Sequence, residues 1–289
     1  SAQQSLDSDA LAQARMALTK GGPGSGNFGH EGRPGLVGGS STGVGESTDG
    51  TSASGTTGDG RTALPAASSR PDPDPVVQRE ANDYVKAHGL PAVDHATYHD
   101  VNQKTAGDIA DAYDALPVDD SGNAHVIAAY DALGKEVSEQ YRFATERGMR
   151  FIPWTKDGQP YQTSAEMATD VRENRRLFFY TGGDPHPFLS KIDPATGLTL
   201  NDEFRAIHDY FGHAAGGFGF GPRGEENAWS VHSQMFSQTA RPAMTTETGG
   251  QNSWVNFGKQ NYNADGSSKH IPAASRPFAA QKVALLPER

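Results

Sequence analysis

Apolar residues recur three and four positions apart along most of the chain after residue 75, which is the spacing of a buried helix face. Two short runs rich in aromatic residues, Met149–Trp154 and Leu177–Gly183, predict strands. The sequence therefore predicts a mainly α fold, formally α+β with a minor two-stranded element. The predicted helices run from Val76 to His88, Val101–Leu116, Ala124–Arg147, Ser164–Asn174, Asn201 or Asp202 to His213, and Glu225 to about Thr239.

The pattern is weaker in the last part of the chain. A short helix is expected after Arg241 and another around Phe278–Leu285, with loop between them beyond Phe257. The glycine-rich stretches Gly216–Gly224 and Gly249–Phe257 are interpreted as loops, because glycine clusters interrupt regular structure.

The first 75 residues differ in composition from the rest. An apolar stripe from Leu6 to Leu18 can form a short helix within residues 1–20. Residues 21–75 consist mainly of Gly, Ser, Thr and Asp, with Pro towards the end, and hold too little apolar surface to offset their ordering entropy. We therefore expect a long, flexible and disordered linker over 21–75, followed by one mainly helical globular domain over 76–289.

Composition narrows the class of protein. The chain has 289 residues, no cysteine and a formal net charge of −10. Disulfides and thiolate ligands are thereby excluded. The acidic balance argues against nucleic acid as a partner, although a local basic patch at Arg172, Arg175 and Arg176 is an exception to it. No apolar run reaches the length of a bilayer span, so no membrane insertion is expected.

Chemically active side chains concentrate between Asp202 and Phe257. Burying acids and imidazoles among aromatic residues costs free energy unless they pair or bind a ligand. Helical phasing places Glu225 and His232 on one stripe, and it places Asp209 and His213 on one face of the preceding helix. The candidate metal ligands are His208, His213, Glu225 and His232. The other candidates are Asp209, Glu226 and Glu247 as catalytic acids or bases, and Trp229, Gln251, Asn252 and Trp254 as ligand-binding residues.

Nitrogen and oxygen ligands of this kind suit a divalent metal such as Zn, Mn or Fe. The spacing matches no specific metal motif, since HDYFGH (His208–His213) is not HExxH and there is no paired Glu-x-x-His. A His–Glu pair working as acid and base without a metal explains the same residues. A buried polar network that only organises the fold also explains them.

Two parts of the chain resemble proteins of tailed phages. GGPGSGNFGHEGRPGLVGGSS (Gly21–Ser41) resembles a glycine-rich motif of head-morphogenesis polyproteins, including MuF-type minor head proteins and fused maturation proteases. From about Ala112 onward, blocks such as HDYFGH and GEENAW resemble a domain of phage structural and polyvalent proteins. The resemblance implies a virion or head-assembly protein with capsid or portal proteins as partners. It also implies a location in the virion, or in the host cytoplasm during assembly.

Three hypotheses about function follow from these observations. The first is a phage virion or head-morphogenesis protein that carries a His/carboxylate site, which includes a non-catalytic component whose globular part docks to portal or capsid. The second is a metal-dependent hydrolase in the same context, with the metal held by the histidines and Glu225. The third is an injected effector or toxin that acts on a small molecule or a nucleotide of the host.

Overall fold

The structure, a computed structural model, describes residues 70–157, 159–272 and 275–287. The short helix expected within residues 1–20 and the predicted linker up to residue 69 lie outside these ranges. Residues 70–74 pack against the folded part. The backbone N–H of Asp74 donates to the carbonyl of Ala215 at 3.2 Å, which ties this segment to the middle of the domain.

Helices dominate the described residues, and the strands form one two-stranded sheet. The prediction of a mainly helical fold with a two-stranded element is confirmed. The elements are α1 (Pro75–Ala87), α2 (Gln103–Ala115), α3 (Ala124–Glu146), β1 (Arg150–Trp154), α4 (Ser164–Asn174), β2 (Arg176–Tyr180), α5 (Leu200–Ile207), the π-helical segment π1 (His208–Ala214), α6 (Pro222–Ser233), α7 (Arg241–Thr245), the π-helical segment π2 (Thr246–Gly250), α8 (Gln251–Phe257) and a 3-10 turn at Lys259–Asn261.

Short polar side chains define the start of most of the longer helices. Each of these residues accepts a hydrogen bond from a backbone N–H in the first turn of the helix that follows, which satisfies a group that the helix itself leaves unpaired. They are Asp74, Asn102, Asn123, Thr163 and Thr199.

The two strands run parallel and are connected by α4, as a parallel pair requires. Arg150 pairs with Arg176 at one end and Trp154 with Tyr180 at the other. Alternate residues of β2 are buried, so one face of the sheet packs on the core. β2 ends at Tyr180, next to the segment where the candidate site lies.

Helix α3 is the centre of the core. Its apolar stripe, which includes Leu133 and Val137, is fully buried. It packs against α5 and α7, while α6 packs against π1 and α2 against α8. Helices of the segment from residue 200 to residue 257 thus pack against both α3 and α2. No helix within the described ranges is both long enough and apolar enough to cross a bilayer.

The helix predicted at Glu225–Thr239 has different ends. It begins at Pro222, because proline fits the first helical position after Gly221. It ends at Ser233, because the chain then turns so that Ser237 donates both its N–H and its hydroxyl hydrogen to the Glu136 carboxylate. Those tertiary hydrogen bonds replace a further helical turn.

Two predictions for the last part of the chain were wrong. The stretch Gly249–Phe257, predicted as a loop, is helical, because π2 and α8 continue α7 without a break. The helix predicted around Phe278–Leu285 is extended chain instead. Val283 exchanges backbone hydrogen bonds with the 118–120 segment, and the hydroxyl of Tyr113 donates to the Ala280 carbonyl. Pairing with distant segments therefore decides the conformation of this tail.

Asp170 joins α4 to β2, and replacing it should be costly. Its carboxylate accepts hydrogen bonds from Tyr161, Asn174 and Arg176, with donor–acceptor distances of 2.7–3.0 Å. We expect Asp170→Ala to lower the free energy of unfolding at pH 7 by about 2 kcal/mol, measured by urea titration. The control Asp131→Ala removes only an exposed ion pair and should change it by less than about 0.5 kcal/mol.

The effect of Asp170 should also depend on pH. Burial alone would raise the pKa of Asp170, but the hydrogen bonds from Arg176, Tyr161 and Asn174 lower it below the ordinary aspartate value. A depressed carboxyl pKa adds stability above the pKa of the unfolded chain, and this stability is lost as the pH falls through the folded pKa. A difference between wild type and Asp170→Ala that stays unchanged down to pH 2 would contradict this account.

Candidate metal centre

Two histidines of the candidate set lie in the π-helical segment π1. In an α-helix, residues five positions apart are rotated by about 140° and face different directions. A π-helix closes its hydrogen bonds between residues five apart and brings such residues onto one side. His208 and His213 are five apart, and both are buried. The π-helical geometry therefore turns both imidazoles towards the same neighbour.

That neighbour is Glu225, in the first turns of α6. Its Oε2 lies 3.4 Å from His213 Nε2 and 3.8 Å from His208 Nε2, and the three ligand atoms all lie within 4.8 Å of one another. Ligand atoms of a tetrahedral zinc site with bonds of about 2.1 Å are about 3.4 Å apart. The spacing of the three groups is therefore close to that of a metal site.

The close approach of π1 to α6 depends on a glycine. A Cβ at Gly212 would lie 3.3 Å from the Cβ and the carbonyl oxygen of Ala228 and from Nδ1 of His208. Such spacing is tighter than ordinary van der Waals contact. Small residues at this crossing thus allow Glu225 to reach the two histidines.

The hydrogen bond of His213 fixes its tautomer. Its Nδ1 lies 3.2 Å from the carbonyl oxygen of Phe218, which can only accept. Nδ1 therefore carries the hydrogen, and in the neutral ring Nε2 keeps its lone pair. That lone pair is on the side of Glu225. A metal-binding histidine usually donates the N–H of its other ring nitrogen to such an acceptor, which orients the imidazole.

A chain of hydrogen bonds fixes the tautomer of His208. Gln140 donates through Nε2 to the Met235 carbonyl (3.2 Å), so its Oε1 is the acceptor that faces His232 Nε2 (2.9 Å). His232 therefore donates through Nε2, and its Nδ1 accepts from Nδ1 of His208 (3.0 Å). In the neutral ring of His208, Nε2 keeps the lone pair. His232 thus lies behind His208, with both of its nitrogens bonded within the protein.

Electrostatics show how strongly these groups interact. Burial lowers the pKa of His232 well below its ordinary value, and positive charge on the neighbouring His208 and His213 lowers it further, so His232 is neutral. Burial alone would raise the pKa of Glu225, but positive charge on His213 and His208 lowers it to about 2. Glu225 is therefore a carboxylate at neutral pH.

The three groups need positive charge between them. Glu225 Oε1 and His208 Nε2 are buried and form no hydrogen bond. An acceptor without a donor is expensive to bury. Either a proton on one imidazole or a metal cation can supply the missing charge. The hydrogen bonds at both Nδ1 atoms direct both Nε2 atoms to the carboxylate, so the arrangement suits either a proton or a cation.

A cavity opens beside the three groups. It has a volume of about 20 Å³, which is enough for about one water molecule. Besides the two histidines and Glu225, its lining includes Asp209 from π1 and Glu247 and Thr248 from π2. π-helical segments frequently mark functional sites. Here two of them border one small cavity.

Glu247 is held by neutral donors. Its carboxylate accepts hydrogen bonds from the Tyr130 hydroxyl (2.6 Å) and from the side-chain amides of Gln251 (3.0 Å) and Gln281 (3.0 and 3.1 Å). His186 Nε2 lies 3.4 Å from it. Gln281 comes from the extended tail, so this carboxylate is fixed by parts of the chain that are far apart in sequence.

The other predicted residues lie outside the cavity lining. Glu226 follows Glu225 on α6 and is not part of the lining; burial raises its pKa, and the charge of His99 opposes that shift. Trp229 donates to Thr245, and Trp254 donates to Asp114 at the surface. The amide of Asn256 donates to the side chain of Asn252. In each case the observed partner is protein, and a role in binding a ligand stays a prediction.

Several residues around the cavity were not predicted from the sequence. They lie outside the segment 202–257 or have no charge that draws attention: Tyr130, Gln140, Tyr180, His186, Thr248 and Gln281. Tyr130 was predicted only as part of the core stripe of α3, and a fully buried tyrosine needs a hydrogen-bond partner. The need of Tyr130 for such a partner was the one feature that could have pointed to this group of residues.

The chain thus belongs to the class of helical proteins with a buried two-histidine, one-carboxylate group. No family model, curated protein or solved structure matches it.

The hydrogen-bond chain from Gln140 through His232 to His208 leads to a prediction for zinc affinity. Gln140→Leu should lower zinc affinity by about ten- to a hundredfold, because His232 is then no longer held as an acceptor for His208. Isothermal titration with zinc measures this change. The control is Gln234→Leu, which also removes two hydrogen bonds but lies at the other side of α6. Equal zinc affinities of Gln140→Leu and Gln234→Leu would contradict a role of this hydrogen-bond chain in zinc binding.

Proposed function

We propose that this protein is a metal-dependent hydrolase that holds one divalent ion with His208, His213 and Glu225. One observation carries the proposal: two buried imidazoles, each bonded within the protein through Nδ1, and one buried carboxyl group converge at a metal-like spacing beside a cavity. The polar-network hypothesis from the sequence needs a proton between Glu225 and an imidazole, whereas the proposal places a cation there.

The ligand set supports this class of reaction. Two histidines and one glutamate form the three-ligand set of catalytic zinc sites, which keep a further position for water or substrate. A bound divalent ion would lower the pKa of a water molecule and polarise a carbonyl group. Manganese and iron are alternative ions for this set, and iron(II) bound by two histidines and a carboxylate is typical of oxygenases. Zinc is the ion that we favour for hydrolysis.

Asp209 is the residue that we assign as proton acceptor. It lines the same cavity and follows His208 directly in π1. Glu247 also lines the cavity, and its two oxygens accept hydrogen bonds from three side chains. Additional protonation of that carboxylate would break those bonds. Glu247 is therefore better suited to orient groups in the cavity than to take up a proton.

Metal analysis and hydrolysis together test the proposal. The purified protein, stripped with chelator and dialysed against zinc, should hold one zinc per chain, and chelator should lower its unfolding temperature. Zinc should restore hydrolysis of activated ester or amide substrates. Asp209→Asn should keep the zinc and lose most of the turnover. Absence of bound metal, together with unchanged stability in chelator, would refute the proposal.

We propose further that the protein acts in a phage particle or in head assembly. The support is the resemblance of Gly21–Ser41 and of the later blocks to phage head-morphogenesis proteins. Mass spectrometry of particles from a phage that encodes the chain should detect it with portal and capsid proteins. Detection only in the free host fraction would contradict a virion role and favour the effector hypothesis. If His208→Ala and His232→Ala impair assembly while no substrate is turned over, a non-catalytic component is the better explanation.

A further inference from the structure

The side chains around the cavity have an excess of negative formal charge. Asp209, Glu225 and Glu247 bring three carboxyl groups to its lining. Arg205 is the single guanidinium of the lining, and the two histidines face Glu225. The balance of these charges determines which reacting group can approach the three ligands, because charges interact strongly in a buried site.

The guanidinium group of Arg205 is bonded to backbone carbonyls. Its Nη2 donates to the carbonyl of Gly182 at 2.8 Å, and its Nη1 donates to the carbonyl of Tyr180. The carboxylate of Asp202 lies 3.8 Å from Nη1. Arg205 therefore anchors the chain that follows β2, and Asp202 compensates its charge. It is not positioned as a receptor for a substrate anion.

The charge of Glu247 is left uncompensated by its own partners. Tyr130, Gln251 and Gln281 donate to it as neutral groups. His186 is neutral as well, because its Nδ1 accepts the backbone N–H groups of Phe188 and Leu189 (3.1 and 3.0 Å) and its hydrogen is therefore on Nε2. These donors stabilise a carboxylate without adding positive charge. Glu247 thus contributes a full negative charge to the cavity.

We propose that the scissile group of the substrate is an uncharged carbonyl, an amide or an ester, and that the site excludes phosphate esters. This inference rests on the proposed metal-dependent hydrolysis. A divalent ion at His208, His213 and Glu225 offsets two of the three carboxylates and leaves one negative charge. A phosphate group would add a further negative charge to that site. The formal net charge of −10 on the whole chain also repels anions at long range.

The reaction proposed for this carbonyl group is hydrolysis by a water molecule. The oxygen of a water molecule forms a bond to the carbonyl carbon, and the bond from that carbon to the leaving nitrogen or oxygen breaks. The proton released by the water passes to Asp209 and then to the leaving group. A new carboxyl group and an amine or alcohol are the products. The side chain of Phe204 gives the cavity an apolar wall, which suits a neutral substrate better than a strongly hydrated phosphate.

Binding of two probes to the zinc-loaded full-length protein tests this inference independently of turnover. Isothermal titration should detect acetohydroxamate, a mimic of the carbonyl group, and it should show at least tenfold weaker binding of inorganic phosphate. Glu247→Gln and Asp209→Asn each remove one negative charge from the cavity, and each should raise phosphate affinity at least tenfold. Glu226→Gln is the matched control, since Glu226 lies on the same helix as Glu225 but outside the lining, and it should change neither affinity.

The possible outcomes separate the two proposals. Phosphate that binds as tightly as acetohydroxamate, or variants of Glu247 and Asp209 that both leave phosphate affinity unchanged, would overturn the inference while zinc binding still supports a metal-dependent hydrolase. Faster turnover of bis(p-nitrophenyl) phosphate than of a p-nitrophenyl ester would do the same. A protein that binds no zinc would instead overturn the proposed function.

Discussion

Glu225→Gln is expected to lower zinc affinity by more than about a hundredfold, a larger effect than the ten- to hundredfold loss that follows removal of an outer hydrogen-bond partner. Glu225 is the only carboxylate among the three converging ligands, and its oxygen lies within 3.8 Å of both imidazoles. Glutamine keeps the volume but provides a neutral oxygen and a competing N–H donor. Titration of the chelator-treated protein with zinc measures the affinity.

The neighbouring residue on α6 provides the control for this prediction. Glu226→Gln removes the same charge one position further along the helix, but its side chain lies outside the cavity lining, so zinc affinity should stay within about twofold of wild type. Zinc at a hundredfold excess over its dissociation constant should stabilise wild type by about 2.7 kcal/mol. That gain should be absent in Glu225→Gln. Equal affinities in the two variants would show that Glu225 is not a ligand.

Gly224→Ala is the second change with a large expected effect. A Cβ at Gly224 would collide with the backbone carbonyl of Gly219, which cannot move as a flexible side chain does. We expect a loss of about 3 kcal/mol in the free energy of unfolding, measured by urea titration. Zinc affinity should fall as well. The reason is that Glu225 follows directly in α6, and the displaced loop carries the Phe218 carbonyl that orients His213.

Gly122→Ala is the matched control for Gly224→Ala. A Cβ at Gly122 would meet nothing within 4 Å. That substitution should therefore change the free energy of unfolding by less than about 0.5 kcal/mol and leave zinc affinity unchanged. A Gly224→Ala protein as stable as wild type would contradict the close approach of the loop to the first turn of α6.

Periodicity was sufficient to predict the helices whose packing is regular. The apolar stripe of α3 from Val126 to Ala144 repeats at helical spacing, and its predicted and observed ends differ by one residue. For α4 the predicted cap was Ser164 and the observed cap is Thr163, one position earlier, while the predicted end at Asn174 is the observed one. Both strands were found as well, because aromatic and β-branched runs between turns are typical of strands. These elements have in common that local sequence and tertiary environment favour the same structure.

The π-helical segments could not be predicted in this way. The α-helical phasing applied to HDYFGH pairs Asp209 with His213, while the structure joins His208 and His213 opposite Glu225. A π-helix is favoured by tertiary contacts, here with α6 at Gly212, and the sequence of the segment alone does not reveal it. The sequence therefore identified the candidate residues, but it did not predict that His208 and His213 converge on Glu225.

His232 illustrates what a helix stripe can and cannot reveal. The stripe correctly predicts that Glu225 and His232 face π1 together. It does not distinguish a ligand from a residue that supports a ligand, since this depends on Gln140 in α3, 92 positions away in sequence. Glu247 is similar, because its partner Gln281 lies in the extended tail. Contacts between residues so far apart follow from the tertiary fold.

A crystal structure of the protein grown with zinc, with anomalous data collected at the zinc absorption edge, tests the central claim most directly. The account predicts one anomalous peak between π1 and α6. It should lie about 2.0–2.2 Å from Nε2 of His208, Nε2 of His213 and a carboxylate oxygen of Glu225. His232 should remain bonded to His208 and Gln140. No peak at this position, or a peak bound by His232 in place of Glu225, would contradict the account.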